Sequence, residues 1–251
     1  MTPPRRFTEL AALAAAATFL ASWGVLHTVW YDEGQIVDTP VYETYGKAIE
    51  EGAVPYRDIR PEYPPGALPA FALPALLSDD QEGFRNAFEW LMSVCGVAMV
   101  LLAAVALAGL RATRSTTVAA LALAAGFPLL LGSVVLTRFD LWPAALVAGA
   151  LAALVHGRDR VGFGVLGAAI AVKLYPAVLV PLAAAYVWRR KGRREARNPA
   201  SATAASNTAA TPQAAISHSK ASRKPVWSSL RSAGTMKAGS APGGYSGRMS
   251  R

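Results

Sequence analysis

Three long apolar runs, at 8–29, 90–110 and 116–136, restrict this chain's fold more than anything else in it. Each is long enough to cross a hydrocarbon core about 30 Å thick. That core holds no water to satisfy peptide groups, so a spanning segment must bond its own backbone, as a helix does. The expected fold is therefore all-α, a polytopic transmembrane helical protein. Shorter apolar runs follow at Leu141–Val155 and 161–188, the second interrupted by Lys173 and Pro176. With 53% hydrophobic and 16% charged residues, the composition is that of a membrane protein. The first run follows Pro3-Pro4-Arg5-Arg6, as a secretory signal would. It is longer than a signal-peptide core, and further spans come after it, so it is expected to remain as the first helix.

The formal net charge of +9 conceals two opposite parts. Residues 189–251 carry 13 Lys/Arg and one acid, Glu195, which leaves the membrane part acidic. Arg189-Arg190-Lys191-Gly192-Arg193-Arg194 abuts an apolar run, the position of a cytoplasmic stop signal that also meets anionic lipid. That placement argues against nucleic acid as the partner of the basic tail. From 198 onward the chain is rich in Ala, Ser and Thr and lacks the apolar content to build a core. The division is thus a membrane domain, 1–190, and a basic, low-complexity tail, 191–251, expected to be disordered.

Arg5 and Arg6 precede the first span, Arg111 and Arg114 follow the second, and Arg158 and Arg160 follow the fourth. All fall on one side, which the positive-inside rule makes cytoplasmic. The segment 30–86 then faces outward, and its 11 acids against four bases suit an exterior loop. A single span over 161–188 would carry 189–194 outside, against the rule. Two short helices meeting near Lys173-Leu174-Tyr175-Pro176 would return the chain, with Lys173 in the outer half of the membrane. A lone ammonium there needs water, a carboxylate or a phosphate beside it.

The outer loop concentrates carboxylates, tyrosines and turn formers between 38 and 66. A short helix is expected over 41–51, with Asp38 as N-cap, Pro40 in its first turn and Gly52 as its stop. Asp38, Tyr42 and Tyr45, spaced i, i+4, i+7, share one face of it. Two readings stand. Asp38 is a general base beside rings that pack on a sugar, or it caps the helix while the tyrosines form an interfacial belt. Tyr56-Arg57-Asp58 and Glu62-Tyr63-Pro64-Pro65-Gly66 follow, the paired prolines pinning a turn. The apolar stretch 67–77 is too short to span and contains Pro69 and Pro74, so it is expected to be interfacial or re-entrant.

Arg138-Phe139-Asp140 lies at the outer end of the third and fourth spans. Arg138 and Asp140 neutralise one another, or the guanidinium, at the depth of Lys173, binds a lipid phosphate. Gly162-Phe163-Gly164-Val165-Leu166-Gly167 spells a dinucleotide-binding pattern, but no strand precedes it and it sits in an apolar helix; close helix packing explains it better. Glu89, at the start of the second span, reads as interfacial. Cys95 is the sole cysteine, so no intramolecular disulfide forms. His27, His156 and His218 lack ligand spacing, and no metal site is expected.

Asp38-x-x-x-Tyr42-x-x-Tyr45-Gly46, Gly52-x-x-Pro55-Tyr56-Arg57-Asp58 and Glu62-Tyr63-Pro64-Pro65-Gly66 resemble the first outer loop of glycosyltransferase family 87. Arg138-Phe139-Asp140 and Lys173-Leu174-Tyr175-Pro176 look like its later motifs, and the similarity covers roughly residues 8–190. The resemblance implies a C-type glycosyltransferase fold in the plasma membrane and transfer of a hexose, mannose, from polyprenyl phosphate to a glycan or glycolipid acceptor at the outer face. It implies Asp38 as general base, with Asp32 or Asp58 as alternatives, and Arg138 and Lys173 as ligands of the donor phosphate. Tyr42, Tyr45, Tyr56, Arg57, Glu62, Tyr63, Asp140 and Tyr175 would line the substrate site. No cofactor and no metal is implied; the lipid-linked sugar is a substrate and the bilayer a partner. Members of that family are longer, with further membrane helices after the Lys-Leu-Tyr-Pro motif, so part of the acceptor or lipid-tail pocket is expected to be absent here. Two other classes remain open: a noncatalytic membrane protein that binds polyprenyl phosphates or partners a transferase, and a small transporter.

Overall fold

The computed structural model describes residues 5–28, 38–132 and 134–197, and every regular element among them is a helix. The chain divides into Met1–Arg194 and Glu195–Arg251; of the second unit only 195–197, the end of a helix, is described. Asp32, the start of the outer loop and the tail beyond residue 197 lie outside the described residues.

Helix α1 (Arg5–Thr28) is the first apolar run. Helix α2 (Thr39–Glu50) opens with Pro40 in its first turn and ends before Gly52, whose φ of +93° is a left-handed conformation open to glycine at little cost. A 3-10 turn (Pro65–Ala67) leads into α3 (Leu68–Ala75), eight residues that bury Ala70, Phe71, Pro74 and Ala75. Helix α2 packs on α3, and both touch the start of α4 (Gln81–Gly109). Asp80 caps α4, its carboxylate accepting from the Gly83 N–H at 2.7 Å. The second span therefore begins inside the segment expected to be loop, and its first turns bury Phe84 and Phe88.

Helix α5 (Arg114–Leu131) starts on Thr113, whose hydroxyl accepts from the Thr116 N–H at 3.2 Å. The expected run 116–136 does not continue as one helix. Gly132 takes φ +65°, with Pro128 one turn before it, and the chain restarts as the single turn α6 (Val134–Thr137). Helices α7 (Leu141–Val155) and α8 (Asp159–Val172) follow and pack against each other, α7 also lying along α4.

Lys173 is extended (φ −155°, ψ 139°) and ends α8; a 3-10 turn at Tyr175–Val178 leads into α9 (Leu179–Arg197). Arg190 of α9 donates to the Leu154 carbonyl and the Asp159 carboxylate, at the start of α8. The stretch 161–188 is thus two helices with a turn between them, and the second runs back toward the beginning of the first.

Helices α1, α4 and α5 are long and apolar enough to cross a membrane. They expose large apolar side chains, among them Leu10, Leu13, Trp90, Val94 and Leu123, as lipid-facing helices do. The charged groups sort to two ends. At one, the Arg114 guanidinium lies 5.3 Å from the Phe7 ring centroid, and Glu9, Arg111 and His156 share the lining of a cavity of about 870 Å³. Arg190 and Asp159 close the α7–α9 side of that end. Asp38, Arg138 and Lys173 lie at the other.

Of the Gly162–Gly167 run only Gly162 supports a close contact: a Cβ there would stand 2.5 Å from Leu154 Cγ, whereas Gly164 and Gly167 face open space. Glu89 of α4 is buried, 5% exposed.

Candidate functional site

The site is built on four aromatic rings, each from a different segment. Tyr42 comes from α2, Tyr63 from the double-proline segment, Phe71 from α3 and Phe139 from the α6–α7 turn. Every pair among them is in contact, with centroids 4.5–5.6 Å apart. Tyr42 stacks flat on Phe71 (4.5 Å, 8°), and Phe139 stands nearly perpendicular to the other three. Offset and edge-on aromatic pairs add to ordinary burial, so this knot rigidly fixes whatever its neighbours carry.

Its neighbours in sequence carry the charges. Asp38 sits one helical turn before Tyr42, and Arg138 and Asp140 flank Phe139. Arg138 Nε lies 3.2 Å from Asp38 Oδ2, and the Tyr42 hydroxyl donates to the same oxygen at 3.4 Å. Lys173 pairs with the Asp140 carboxylate and stands 5.1 Å from the centre of the Phe139 ring. A carboxylate–guanidinium pair and a carboxylate–ammonium pair thus both involve a neighbour of one aromatic residue, Phe139. Both pairs are part-exposed; the Lys173 and Asp140 side chains keep 37% and 48% of their surface open.

Several expectations need correction. Asp38 holds the N-cap position, but its side chain makes no capping hydrogen bond; only its carbonyl accepts, from Val41 and Tyr42. The carboxylate is turned instead to Arg138. Arg138 and Asp140 do not neutralise one another, since each has taken another partner. Tyr42 is 1% exposed and offers no ring face to a sugar. Burial above all, with the negative charge of Asp38 contributing, pushes its hydroxyl far above the ordinary tyrosine range, so it remains a donor to Asp38.

Asp58 does not join the group. Arg57 Nε and Nη2 grip its two oxygens at 2.9 and 2.8 Å, and the Val54 N–H donates to it at 2.9 Å. These bonds hold its carboxyl below the ordinary range and make it the clasp of an exposed turn rather than a base. Tyr56, in the same turn at φ +66°, reaches back to donate to the Tyr63 carbonyl at 2.6 Å. Tyr56 and Arg57 therefore brace the double-proline segment. Glu62 is exposed on it, and Tyr45, half-buried, touches the edge of the knot near Tyr63 and Phe71. Tyr175 is half-exposed.

Phe71 and Phe139, the centre of the assembly, were not singled out by the sequence. The signal was present in Phe139, set between an arginine and an aspartate that cannot both bury. Among the described residues no three His, Cys, Asp or Glu side chains converge as metal ligands would.

The family model of glycosyltransferase family 87 matches residues 62–229. The match takes in the double-proline segment and the Arg138 and Lys173 motifs, starts after Asp38, and continues past the basic segment. It therefore begins later and ends later than the sequence motifs suggested. No curated protein and no solved structure matches the chain.

Proposed function

As the chain belongs to glycosyltransferase family 87, whose members are membrane glycosyltransferases, we propose that it moves a hexose, mannose, from a polyprenyl-phosphate donor to a glycan or glycolipid hydroxyl at the outer face of the plasma membrane. The observation that carries this reading is the placement of Asp38 against Arg138, with Lys173 over the ring of the next residue, Phe139. One carboxylate and two cations on a rigid aromatic base are the groups such a transfer needs. The reading sets the arginine-rich end in the cytoplasm, following the positive-inside rule.

The acceptor hydroxyl attacks the anomeric carbon while its proton passes to Asp38. Arg138 and Tyr42 hold Oδ2, so Oδ1 is the atom that takes the proton. The bond between the anomeric carbon and the phosphate oxygen breaks, and the electron pair leaves with the polyprenyl phosphate. The phosphate gains negative charge as it departs, and the Arg138 fork and the Lys173 ammonium are placed to stabilise that charge. Attack opposite the leaving phosphate inverts the anomeric centre.

The test is transfer of radiolabelled mannose from polyprenyl phosphate in membranes holding the full chain. Asp38→Asn is expected to lower turnover by about 10²–10⁴-fold, the usual contribution of a positioned base. Unchanged turnover in that variant would remove Asp38 from the mechanism.

A further inference from the structure

We propose that Asp140 is a tethered rival of the lipid phosphate: its carboxylate holds Lys173 while the site is empty and yields it when the donor enters. The inference rests on the transferase reading and concerns how the same site binds and releases its lipid.

The Lys173 ammonium meets the Asp140 carboxylate and the face of Phe139. The ring cannot compete with an anion for the ammonium's hydrogen bonds, but the carboxylate can. Asp140 stands at the N-cap of α7 with helical dihedrals (φ −63°, ψ −22°) and no capping bond from its side chain. Its carbonyl serves the helix, accepting from Ala144, whereas its carboxylate pairs with Lys173. Both partners are part-exposed, and ion pairs of that kind are worth little because water solvates the separated charges well. A phosphate, with more charge and more acceptor oxygens, can therefore take Lys173 while Asp140 turns to solvent.

This arrangement acts mainly on product release. The donor is a phosphodiester; once its sugar is transferred the lipid carries a phosphomonoester, with greater charge, which two cations would hold more tightly than the donor. A carboxylate that reclaims Lys173 offsets that gain. Asp140 is thus a positioning residue, and its removal should strengthen binding, an effect that mere structural damage does not produce.

The test measures binding of decaprenyl phosphate to the full chain in nanodiscs, with uncharged decaprenol as control. Asp140→Asn, and independently Asp140→Ser, should bind the phosphate about two- to fivefold more tightly, the range of a part-exposed ion pair. Decaprenol binding should not move. In a Lys173→Gln background, Asp140→Asn should change nothing, because the contested ammonium is gone. Product inhibition by decaprenyl phosphate should sharpen in Asp140→Asn during transfer. Equal or weaker phosphate binding in both Asp140 variants, with wild-type transfer intact, overturns this inference alone. Absence of phosphate binding in every form, wild type included, overturns the transferase reading and this inference with it.

Discussion

Arg138 and Asp38 meet Nε to Oδ2 at 3.2 Å, although one comes from the turn before α7 and the other from the start of α2. A guanidinium bound through Nε keeps its two Nη groups in a planar fork, which an ammonium cannot imitate. Arg138→Lys keeps the charge and loses the fork. Charged hydrogen bonds contribute about 1.5–3 kcal/mol, so the donor KM should rise at least tenfold in that variant. Steady-state transfer kinetics at varied donor concentration decide it; a lysine as effective as arginine would mean that only the charge matters.

Tyr42 has two separable roles, a ring that fills the knot and a hydroxyl that holds Asp38. Tyr42→Phe keeps the first and removes the second. It should melt close to wild type in detergent and transfer a few times more slowly, because the 3.4 Å bond is long and Arg138 still holds the carboxylate. Tyr42→Ala empties a site that is 1% exposed and takes away contacts to four rings. Aromatic-to-alanine changes in a core cost about 3–5 kcal/mol, enough to lower the melting temperature markedly. Similar melting temperatures for the two variants would show that the ring does not support the knot.

The apolar runs made the helical class legible, because a span must satisfy its own backbone. Charge made the two ends legible, and Arg114, Arg111 and Arg190 do gather away from Asp38, Arg138 and Lys173. Partner choice was not legible. Arg138 and Asp140 are two residues apart, and nothing in their spacing says that one reaches back to α2 and the other across to Lys173. Phe139 between them is buried, and its two neighbours pair with different segments, Asp38 and Lys173. The helix start at Asp38 was readable, but not the fate of its carboxylate, since a cap residue and an ion-pair partner look alike until the distant arginine is placed. The break at Gly132 was hidden because its neighbours are as apolar as any span.

The tyrosines at the site also give it an alkaline signature. Burial raises the pKa of Tyr42 and, to a smaller extent, of Tyr63 above the ordinary value of 10.0. A raised folded pKa means that the native state keeps a proton which the unfolded chain gives up at about pH 10. The stabilisation is whole below that pH and is lost as the pH climbs toward the folded values. Tyrosinate absorbance near 295 nm, followed from pH 8 to 12, should rise in two stages, exposed tyrosines first and the buried ones together with unfolding. Complete ionisation around pH 10 without loss of helicity would show that the Tyr42 ring is open to water.

Gly66 ties the double-proline segment to the lysine that follows α8. A Cβ at Gly66 would stand 2.6 Å from the Ala171 carbonyl carbon and 2.7 Å from both the Ala171 oxygen and the Val172 nitrogen. These are backbone atoms one and two residues before Lys173, so they cannot swing aside as a side chain would. Gly66→Ala must push either Tyr63 away from the knot or Lys173 away from Phe139. Overpacking of this kind costs about 1–3 kcal/mol, but its sharper effect should be on the donor, with KM raised more than kcat is lowered. Gly164→Ala is the matched control, being an added methyl on α8 with nothing within 4 Å, and it should behave as wild type in both melting and transfer. If the two variants cannot be told apart in donor KM, the close approach of Gly66 to α8 does not position Lys173.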